Sequence, residues 1–293
     1  MNEIDIDKRI YDLYDEYCHG FLSRRDFLAR ASAITVAGAS GLTMAQALLP
    51  RYAEAQTISF TDSRIKANYV GYPSPGGTSG EMRGYLVRPT TEGLFPAVLV
   101  IHENRGLNPY IEDVARRFAA EGFLALAPDG LFPVGGYPGN DDDGRELQKS
   151  LDQAKLKSDM LNSARFLKSH SLSNGKLGSI GFCWGGGITN YLAVEMGADL
   201  AAAIPFYGAA PESGEVPRIR APLLIQSAED DPRINAMWPE FEAALKTNGK
   251  SYQRYLYPGT RHGFHNNSTP RYDEAAAQLA WERSVKFFHE KLA

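Results

Sequence analysis

Continuous apolar runs alternate with amphipathic stretches over most of the chain from residue 57 onward. The run 95–101 has no polar position, which is typical of a central parallel strand covered on both faces. Apolar positions spaced three and four residues apart indicate helices between such runs, as in 109–121. The alternation predicts an α/β fold with a mostly parallel, doubly wound sheet flanked by helices in a single domain.

The same pattern gives the bounds of the individual elements. An antiparallel edge is expected around the glycine-rich loop 73–80. The predicted strands are 65–70, 82–87, 95–101, 123–127, a run ending at 182, 200–207, 222–227 and 252–257. The predicted helices are 109–121, 145–170, 188–196, 236–247 and 273–292. The segment 129–144 is expected to be a long loop in which Asp141-Asp-Asp-Gly144 forms a solvated turn, because the ligand spacing of a calcium loop is missing.

The N-terminal segment differs from the rest in its pattern. Residues 1–22 are polar and acidic with scattered apolar positions, which predicts at most a marginal amphipathic helix. Arg24 and Arg25 follow, then nineteen residues without charge (31–49), then Ala53-Glu-Ala55. This order, and the stretch Ser-Arg-Arg-x-Phe-Leu that resembles the twin-arginine consensus, predict a twin-arginine signal peptide. A helix N-cap followed by two solvated arginines is the alternative interpretation.

This interpretation divides the chain into an N-terminal extension with the signal peptide, residues 1–55, and an α/β domain, residues 56–293. The mature chain is expected to begin near Gln56, after export by the twin-arginine machinery to the periplasm. The uncharged run is built from Ala, Gly, Ser and Thr rather than Leu, so no stable transmembrane segment is expected in the mature chain.

The composition and the number of cysteines narrow the range of possible functions. The 293 residues are 43% hydrophobic and 23% charged with a formal net charge of -4, and no basic cluster follows any face, so nucleic acid is not an expected partner. The chain has two cysteines, too few for a disulfide framework. Cys18 lies in the segment expected to be removed. Cys183 would then be one unpaired thiol in the mature chain, which suits a nucleophile.

Cys183 stands between an apolar run and a stretch whose first turn is almost entirely glycine. The pattern Gly181-x-Cys183-x-Gly185 predicts a nucleophile elbow with cysteine in place of serine, because that sharp turn strains the nucleophile and admits only small neighbours. The N–H groups and positive dipole end of the following helix favour a thiolate and can hold an oxyanion. A buried structural cysteine is the alternative interpretation.

The last two predicted strands are followed by residues that can serve as the acid and the base of a cysteine nucleophile. We favour Asp231 over Asp230, because the Asp–Pro step holds Asp231 extended before a turn. We favour His262 over His265 and His102, since His265 is expected to pack or hydrogen-bond locally. The resulting order of nucleophile, acid and histidine along the chain is that of the α/β-hydrolases.

Four motifs together resemble the dienelactone hydrolase family over residues 64–293. They are His102-Glu-Asn-Arg-Gly-Leu-Asn108, Gly181-Phe-Cys-Trp-Gly-Gly186, Asp231 and Arg261-His-Gly-Phe-His-Asn266. The resemblance implies an α/β-hydrolase fold, no cofactor or metal, and hydrolysis of a small-molecule ester or lactone.

In that family a glutamate after the third strand governs the protonation of the nucleophilic thiol. Matched motif by motif, the resemblance implies catalytic roles for Cys183, Asp231, His262 and Glu103, with the backbone N–H groups of Trp184 and Asn104 as the oxyanion hole. A solvent-facing loop carboxylate is the alternative for Glu103. Family members of the chlorocatechol pathway also hold the dienelactone carboxylate with arginines, one of them shortly after the histidine, where this chain has His265-Asn266. The nearby candidates for substrate binding are Arg105, Arg233 and Arg261, none of which matches by motif.

The sequence therefore predicts a carboxylic ester hydrolase that works through a cysteine acyl-enzyme. Two alternatives are a non-catalytic ligand-binding homologue, because fold does not fix function, and a thiol redox protein. The absence of a resolving cysteine from the predicted mature chain speaks against the redox alternative.

Overall fold

The computed structural model describes residues 6–18, 21–36 and 39–293. Eight strands of the described chain form one sheet in the order β10-β9-β8-β7-β5-β6-β4-β3, and two short strands, β1 and β2, pair separately. The strands are β1 (Thr35–Val36), β2 (Ala39–Ser40), β3 (Ile65–Pro73), β4 (Glu81–Pro89), β5 (Phe95–Ile101), β6 (Leu124–Pro128), β7 (Ser173–Phe182), β8 (Ala202–Phe206), β9 (Leu223–Asp230) and β10 (Tyr252–Arg261). The α-helices are α1 (Lys8–Cys18), α2 (Arg24–Ser32), α3 (Gly41–Ala47), α4 (Pro109–Ala120), α5 (Asp141–Ser150), α6 (Gln153–Lys168), α7 (Trp184–Met196), α8 (Pro232–Asn235), α9 (Trp238–Thr247) and α10 (Glu274–Leu292).

The six strands from β5 to β10 run parallel, and β3 and β4 form an antiparallel edge beside β6. Strand β5 shows why its run is apolar throughout. Val98 and Val100 lie in the core on the α4 and α10 side, whereas Leu99 and Ile101 lie in the core on the α6 and α7 side. Because successive side chains of a strand point to opposite faces, a sheet covered on both faces needs apolar residues at every position. The predicted α/β-hydrolase architecture is confirmed.

Two predictions about the helices were wrong. The expected helix 145–170 is two helices, because Leu151 is extended (ψ 151°) and the Asp152 side chain accepts hydrogen bonds from the backbone N–H groups of Ala154 and Lys155, which starts α6. The expected solvated turn at 141–144 is the first turn of α5, which Asn140 caps by accepting from the Asp143 N–H at 2.9 Å. Asp141 is buried rather than solvated. The prediction missed the Asn140 cap and treated three adjacent aspartates as one polar surface.

The N-terminal helices α1, α2 and α3 form a small core of their own. Tyr14, Tyr17 and Phe27 contact one another there, with ring centroids 5.0 to 5.8 Å apart. Ser23 is the N-cap of α2, and its hydroxyl accepts from the Asp26 N–H at 3.1 Å. Among the described residues, no helix is both long and apolar enough to cross a membrane.

Candidate active site

Cys183 lies in the sharp turn between β7 and α7 with φ 57° and ψ -115°, a conformation that L-residues rarely adopt. Two glycines make this turn sterically feasible. A Cβ on Gly181 would lie 2.1 Å from the Gly185 carbonyl oxygen, and a Cβ on Gly185 would lie 2.4 Å from the Ile101 carbonyl oxygen. The turn therefore holds the Cys183 side chain at the carboxyl edge of the parallel sheet, at the N-terminus of α7.

His262 and Asp231 lie together at the same edge. Asp231 follows β9, and His262 follows β10, which pairs with β9 in parallel. His262 Nδ1 is 2.6 Å from Asp231 Oδ2, and both side chains are buried. Burial lowers the pKa of His262, but the charges of Cys183 and Asp231 and hydrogen bonds to both raise it above its ordinary value. Burial raises the pKa of Asp231, but His262 more than offsets this, so the net pKa is below the ordinary value. The structure thus brings together the three side chains of the predicted triad.

Glu103 is buried beside this group rather than facing solvent. Asn266 Nδ2 donates to Glu103 Oε2 at 3.2 Å, and Arg105 Nε is 3.6 Å from the same oxygen. Burial raises the pKa of Glu103, and the charge of Cys183 adds to this, while Arg105 opposes it. The net effect of these neighbours is a pKa for Glu103 above its ordinary value.

Beside Cys183 is a cavity of about 430 Å³, large enough for a small organic substrate. Its lining contains Cys183 together with Asn104 and Trp184, the two predicted oxyanion donors. The other lining residues are Lys157, Gly187, Ile188, Tyr191, Ala209, Ala210, Pro211, Glu212, Glu215, Arg233 and Ile234. Among the residues that the structure describes, no group of three or more His, Cys, Asp or Glu side chains is placed to hold a metal ion.

A family model described as "Dienelactone hydrolase family" matches residues 82–292. The chain belongs to the dienelactone hydrolase family. It is thus a dienelactone hydrolase-like hydrolase. A second model, described as "YqhI-like", matches residues 1–37.

Individual relatives match different shares of this chain. "Putative hydrolase fragment YghX" of Escherichia coli K12 is 61% identical over 114 residues, 39% of this chain and 97% of the relative. "Putative carboxymethylenebutenolidase" of Saccharolobus solfataricus is 32% identical, over 74% of this chain and 95% of the relative. The crystal structure of a dienelactone hydrolase-like promiscuous phosphotriesterase, P91, from metagenomic libraries superimposes with a TM-score of 0.66 at 25% identity. That match covers 78% of this chain and all of P91.

The three arginines that the sequence suggests for substrate binding lie in different surroundings. Arg233 lines the cavity. Arg105 is buried away from it between Glu103 and Asp141, with Nη1 2.8 Å from Asp141 Oδ2. Arg261 pairs with Asp230 at 3.1 Å. Only Arg233 is therefore placed among the cavity-lining residues.

The two competing histidines of this dienelactone hydrolase-like chain are engaged elsewhere. His265 Nδ1 is 2.7 Å from the Tyr110 hydroxyl, and its ring packs against Phe182. His102 Nε2 accepts from the Gly130 N–H at 3.2 Å, so its Nδ1–H donates to the Glu103 carbonyl at 2.6 Å, and its ring stacks on Trp184. His102 thus holds the backbone carbonyl of Glu103 through this hydrogen bond.

Sequence reasoning missed two kinds of site residue. Lys157 on α6 and Glu212 and Glu215 after β8 line the cavity but belong to no motif. Tyr207 follows β8 with φ 36°, its ring lies 4.8 Å from that of His262, and its buried hydroxyl has no hydrogen-bond partner among the described residues. The sequence Phe206-Tyr207-Gly208 at a strand end was the available signal for Tyr207, because glycine beside a strand end often marks a close approach of two chain segments. A Cβ on Gly208 would lie 2.2 Å from the Gly186 carbonyl carbon.

Proposed function

We propose that this protein hydrolyses an ester or lactone through an acyl-enzyme on Cys183. The observation that carries the proposal is the 2.6 Å contact between His262 and Asp231, with the charge of Cys183 acting on the same histidine from an elbow on the wall of a cavity large enough for a small substrate. Cysteine, histidine and aspartate in this order are the parts needed for nucleophilic acyl transfer.

The steps follow from these positions. His262 takes the Cys183 proton, and the sulfur attacks the carbonyl carbon, whose oxygen becomes an oxyanion held by the N–H groups of Trp184 and Asn104. The carbon–oxygen ester bond breaks, and His262 returns its proton to the leaving alkoxide, which in a lactone stays on the acyl group. His262 then takes a proton from water as the water attacks the thioester. The carbon–sulfur bond breaks, the acid is released and Cys183 is reprotonated.

The role proposed for Glu103 is control of the resting thiol. Its buried carboxyl lies where its charge and that of Cys183 act on each other. A carboxylate there disfavours a second negative charge on sulfur, so the thiolate forms only when a substrate displaces or neutralises it. This protects the resting cysteine from oxidation.

For the substrate we propose an acyl group bearing a negative charge. Lys157 and Arg233 lie in the lining of the same cavity, and Arg233 is on the short helix that begins immediately after Asp231. Glu212 and Glu215 line the cavity too, so its charges are mixed, and we propose Arg233 as the cation that holds the anion.

The test is turnover of aryl esters and of neutral and carboxylated lactones by the wild type and by Cys183→Ala, with intact-mass detection of an acyl adduct. We expect an adduct on Cys183 in the wild type and loss of turnover in the variant. Because Cys183→Ala removes only one sulfur atom, its free energy of unfolding should stay within about 1 kcal/mol of the wild type. Turnover near the wild-type level in a folded Cys183→Ala protein would refute the proposal.

Export by the twin-arginine route to the periplasm is also proposed, on the sequence of residues 23–55. Replacement of Arg24 and Arg25 by lysine should leave the protein in the cytoplasm. Normal export of the double variant would refute this route. In the folded chain Arg24 Nη1 is 3.2 Å from Asp142 Oδ2, so binding of this arginine by the export machinery would compete with that ion pair.

A further inference from the structure

The described residues between 6 and 55 are here called the N-terminal layer. This layer contacts three segments of the rest of the chain, two of which carry proposed site residues. These segments are the loop 102–106 with Glu103 and Asn104, the start of α5 with Asp141, and the loop 262–271 with His262. The layer has its own small apolar core, which includes Ile10, Phe27 and Leu48, and every contact described next joins it to one of those segments.

The first contact is made by the end of α1. Asn104 Nδ2 donates to the carbonyl oxygen of Cys18, the last residue of α1, at 2.8 Å. The last carbonyl groups of a helix have no partner within the helix and carry the negative end of its dipole, so an amide donor is a favourable partner there. The side chain of Asn104 is thus tied to α1, while its backbone N–H is the proposed oxyanion donor.

The second set of contacts holds the histidine loop. Asp15 Oδ1 is 3.4 Å from Arg271 Nη1, and the Arg271 guanidinium lies 4.8 Å from the centre of the Tyr14 ring. Arg271 packs in turn against Gly263, the residue after His262: a Cβ there would lie 2.9 Å from Arg271 Nη2. Two further hydrogen bonds join the layer to this loop. The Arg51 N–H donates to the Ser268 carbonyl at 2.7 Å, and the side-chain amide of Asn267 donates to the Ala55 carbonyl at 2.8 Å.

The third set of contacts joins the layer to Asp141, which pairs with Arg105 next to Glu103. The Tyr52 hydroxyl donates to Asp141 Oδ1 at 2.7 Å, and Asp141 Oδ2 pairs with Arg105. Arg105 and Arg271 are nearly inaccessible, with side chains 2% and 3% exposed. Without the layer, Asp141 would lose the hydrogen bond that Tyr52 donates, Arg271 would lose Asp15, and Asn104 would lose its acceptor on α1.

We propose that the N-terminal layer stays on the folded enzyme and that α1 acts as a positioning element for the oxyanion donor Asn104 and the loop of His262. This rests on the proposed ester or lactone hydrolysis. It departs from the expectation that the mature chain begins near Gln56, since removal of residues 1–55 would delete the contacts that hold Asn104, Arg271 and Asp141.

The test of positioning uses single substitutions in the full chain. Asn104→Ala deletes the tie to Cys18 and keeps the backbone N–H, and Asp15→Asn weakens the contact with Arg271 from outside the cavity. The matched control is Asp7→Asn on the same layer, because the hydrogen bonds that the Asp7 side chain accepts from described residues all come from Arg9 in its own segment. We expect kcat to fall about fivefold in Asn104→Ala and about threefold in Asp15→Asn, with KM and melting temperature close to those of the control.

Hydrogen exchange of the backbone gives a readout that does not depend on catalysis. Amides of 103–106 and 263–271 should exchange faster in Asn104→Ala and Asp15→Asn than in Asp7→Asn. If both variants match the control in kcat and in exchange, α1 does not position the site and the proposal is wrong. Loss of activity in Cys183→Ala tests the hydrolase function separately, so failure of that function would leave the exchange comparison decisive for α1.

Retention of the layer is tested by the intact mass of the protein purified from the compartment in which it accumulates. We expect a mass that includes Asp15 and Cys18. A single species beginning near Gln56 that retains wild-type turnover would overturn the proposal.

Discussion

His262 Nδ1 and Asp231 Oδ2 lie 2.6 Å apart, and both side chains are almost fully buried. This contact fixes which imidazole nitrogen faces Cys183, because a carboxylate at Nδ1 requires the proton to stay there. The other nitrogen is then free to take and return the thiol proton. Because the pair is buried, water screens the charge of Asp231 poorly, and this charge therefore acts strongly on the protonation of His262.

Asp231→Asn should reduce kcat/KM about a thousandfold, because the amide can support the wrong imidazole tautomer. The negative charge of Asp231 helps to raise the pKa of His262, so its loss should lower that pKa. The acidic limb of the pH profile of kcat/KM should therefore move to lower pH. The control is Asp230→Asn, since Asp230 is partly exposed and pairs with Arg261. Equal effects of the two substitutions would remove Asp231 from the triad.

Glu103→Gln should make Cys183 react faster with iodoacetamide near neutral pH and should slow ester turnover. The negative charge that opposes a thiolate is lost, but so is the group that would take part in its release. Glu229→Gln, at an exposed carboxylate, is the control and should change neither rate. Unchanged alkylation and turnover in Glu103→Gln would leave catalysis to Cys183, His262 and Asp231.

Gly185→Ala should destabilise the fold by at least about 2 kcal/mol and remove activity, because its Cβ would lie 2.4 Å from the Ile101 carbonyl oxygen, a backbone atom that cannot move alone. Gly187→Ala, two residues further along the same helix, is the matched control. Its Cβ would meet nothing closer than 3.6 Å, and alanine is the better helix former by about 1 kcal/mol. Denaturant unfolding should show the two substitutions acting in opposite directions, and similar free energies would contradict the close approach at the elbow.

The sheet and the positions of Cys183, Asp231 and His262 could be predicted because each depends on local chemistry. An apolar run is followed by a turn whose glycines, Asp–Pro step or glycine-flanked histidine restrict the backbone. Glu103 was placed by motif alone. Its partner Arg105 is in the same loop, but its partner Asn266 follows from how two loops meet, which no spacing in the sequence encodes.

The buried ion pairs next to the site could not be predicted from the sequence, for the same reason. Asp141 and Arg105 are 36 positions apart, and Asp15 and Arg271 are 256 apart. Each residue alone suggests solvent exposure, because unpaired charges are rarely buried. Asp141-Asp-Asp-Gly144 was therefore taken as a solvated turn, and Arg105 as a candidate for the substrate.

Asp141→Asn should lower the free energy of unfolding at pH 7 by about 3 kcal/mol, because it leaves the buried Arg105 with less opposing charge. Burial raises the pKa of Asp141, but Arg105 and hydrogen bonds from Arg105, Tyr52 and Tyr137 bring it below its ordinary value in the folded state. Its contribution to stability is thus complete above about pH 4 and is lost as the pH falls through the folded-state pKa.

The difference between the wild type and Asp141→Asn should accordingly be constant from pH 5 to 7 and shrink at lower pH. Asp143→Asn is the control two positions away, where the carboxylate is exposed and contacts only the Asn140 cap. A difference that stays the same at pH 3 would show that folding does not lower the pKa of Asp141.

Arg233→Gln should raise KM for a carboxylated lactone about tenfold and leave KM for a neutral aryl ester near the wild-type value. The magnitude corresponds to one charge-assisted hydrogen bond on a partly exposed side chain. Arg233 also helps to keep the pKa of Asp231 low, so kcat can change slightly for both substrates, and only the difference in KM between them reports on binding of the carboxylate. Arg261→Gln is the matched control, because Arg261 pairs with Asp230 and does not line the cavity. If Arg233→Gln affects the neutral and the charged substrate alike, the acyl group is not held through its charge, and the cavity selects substrates by shape.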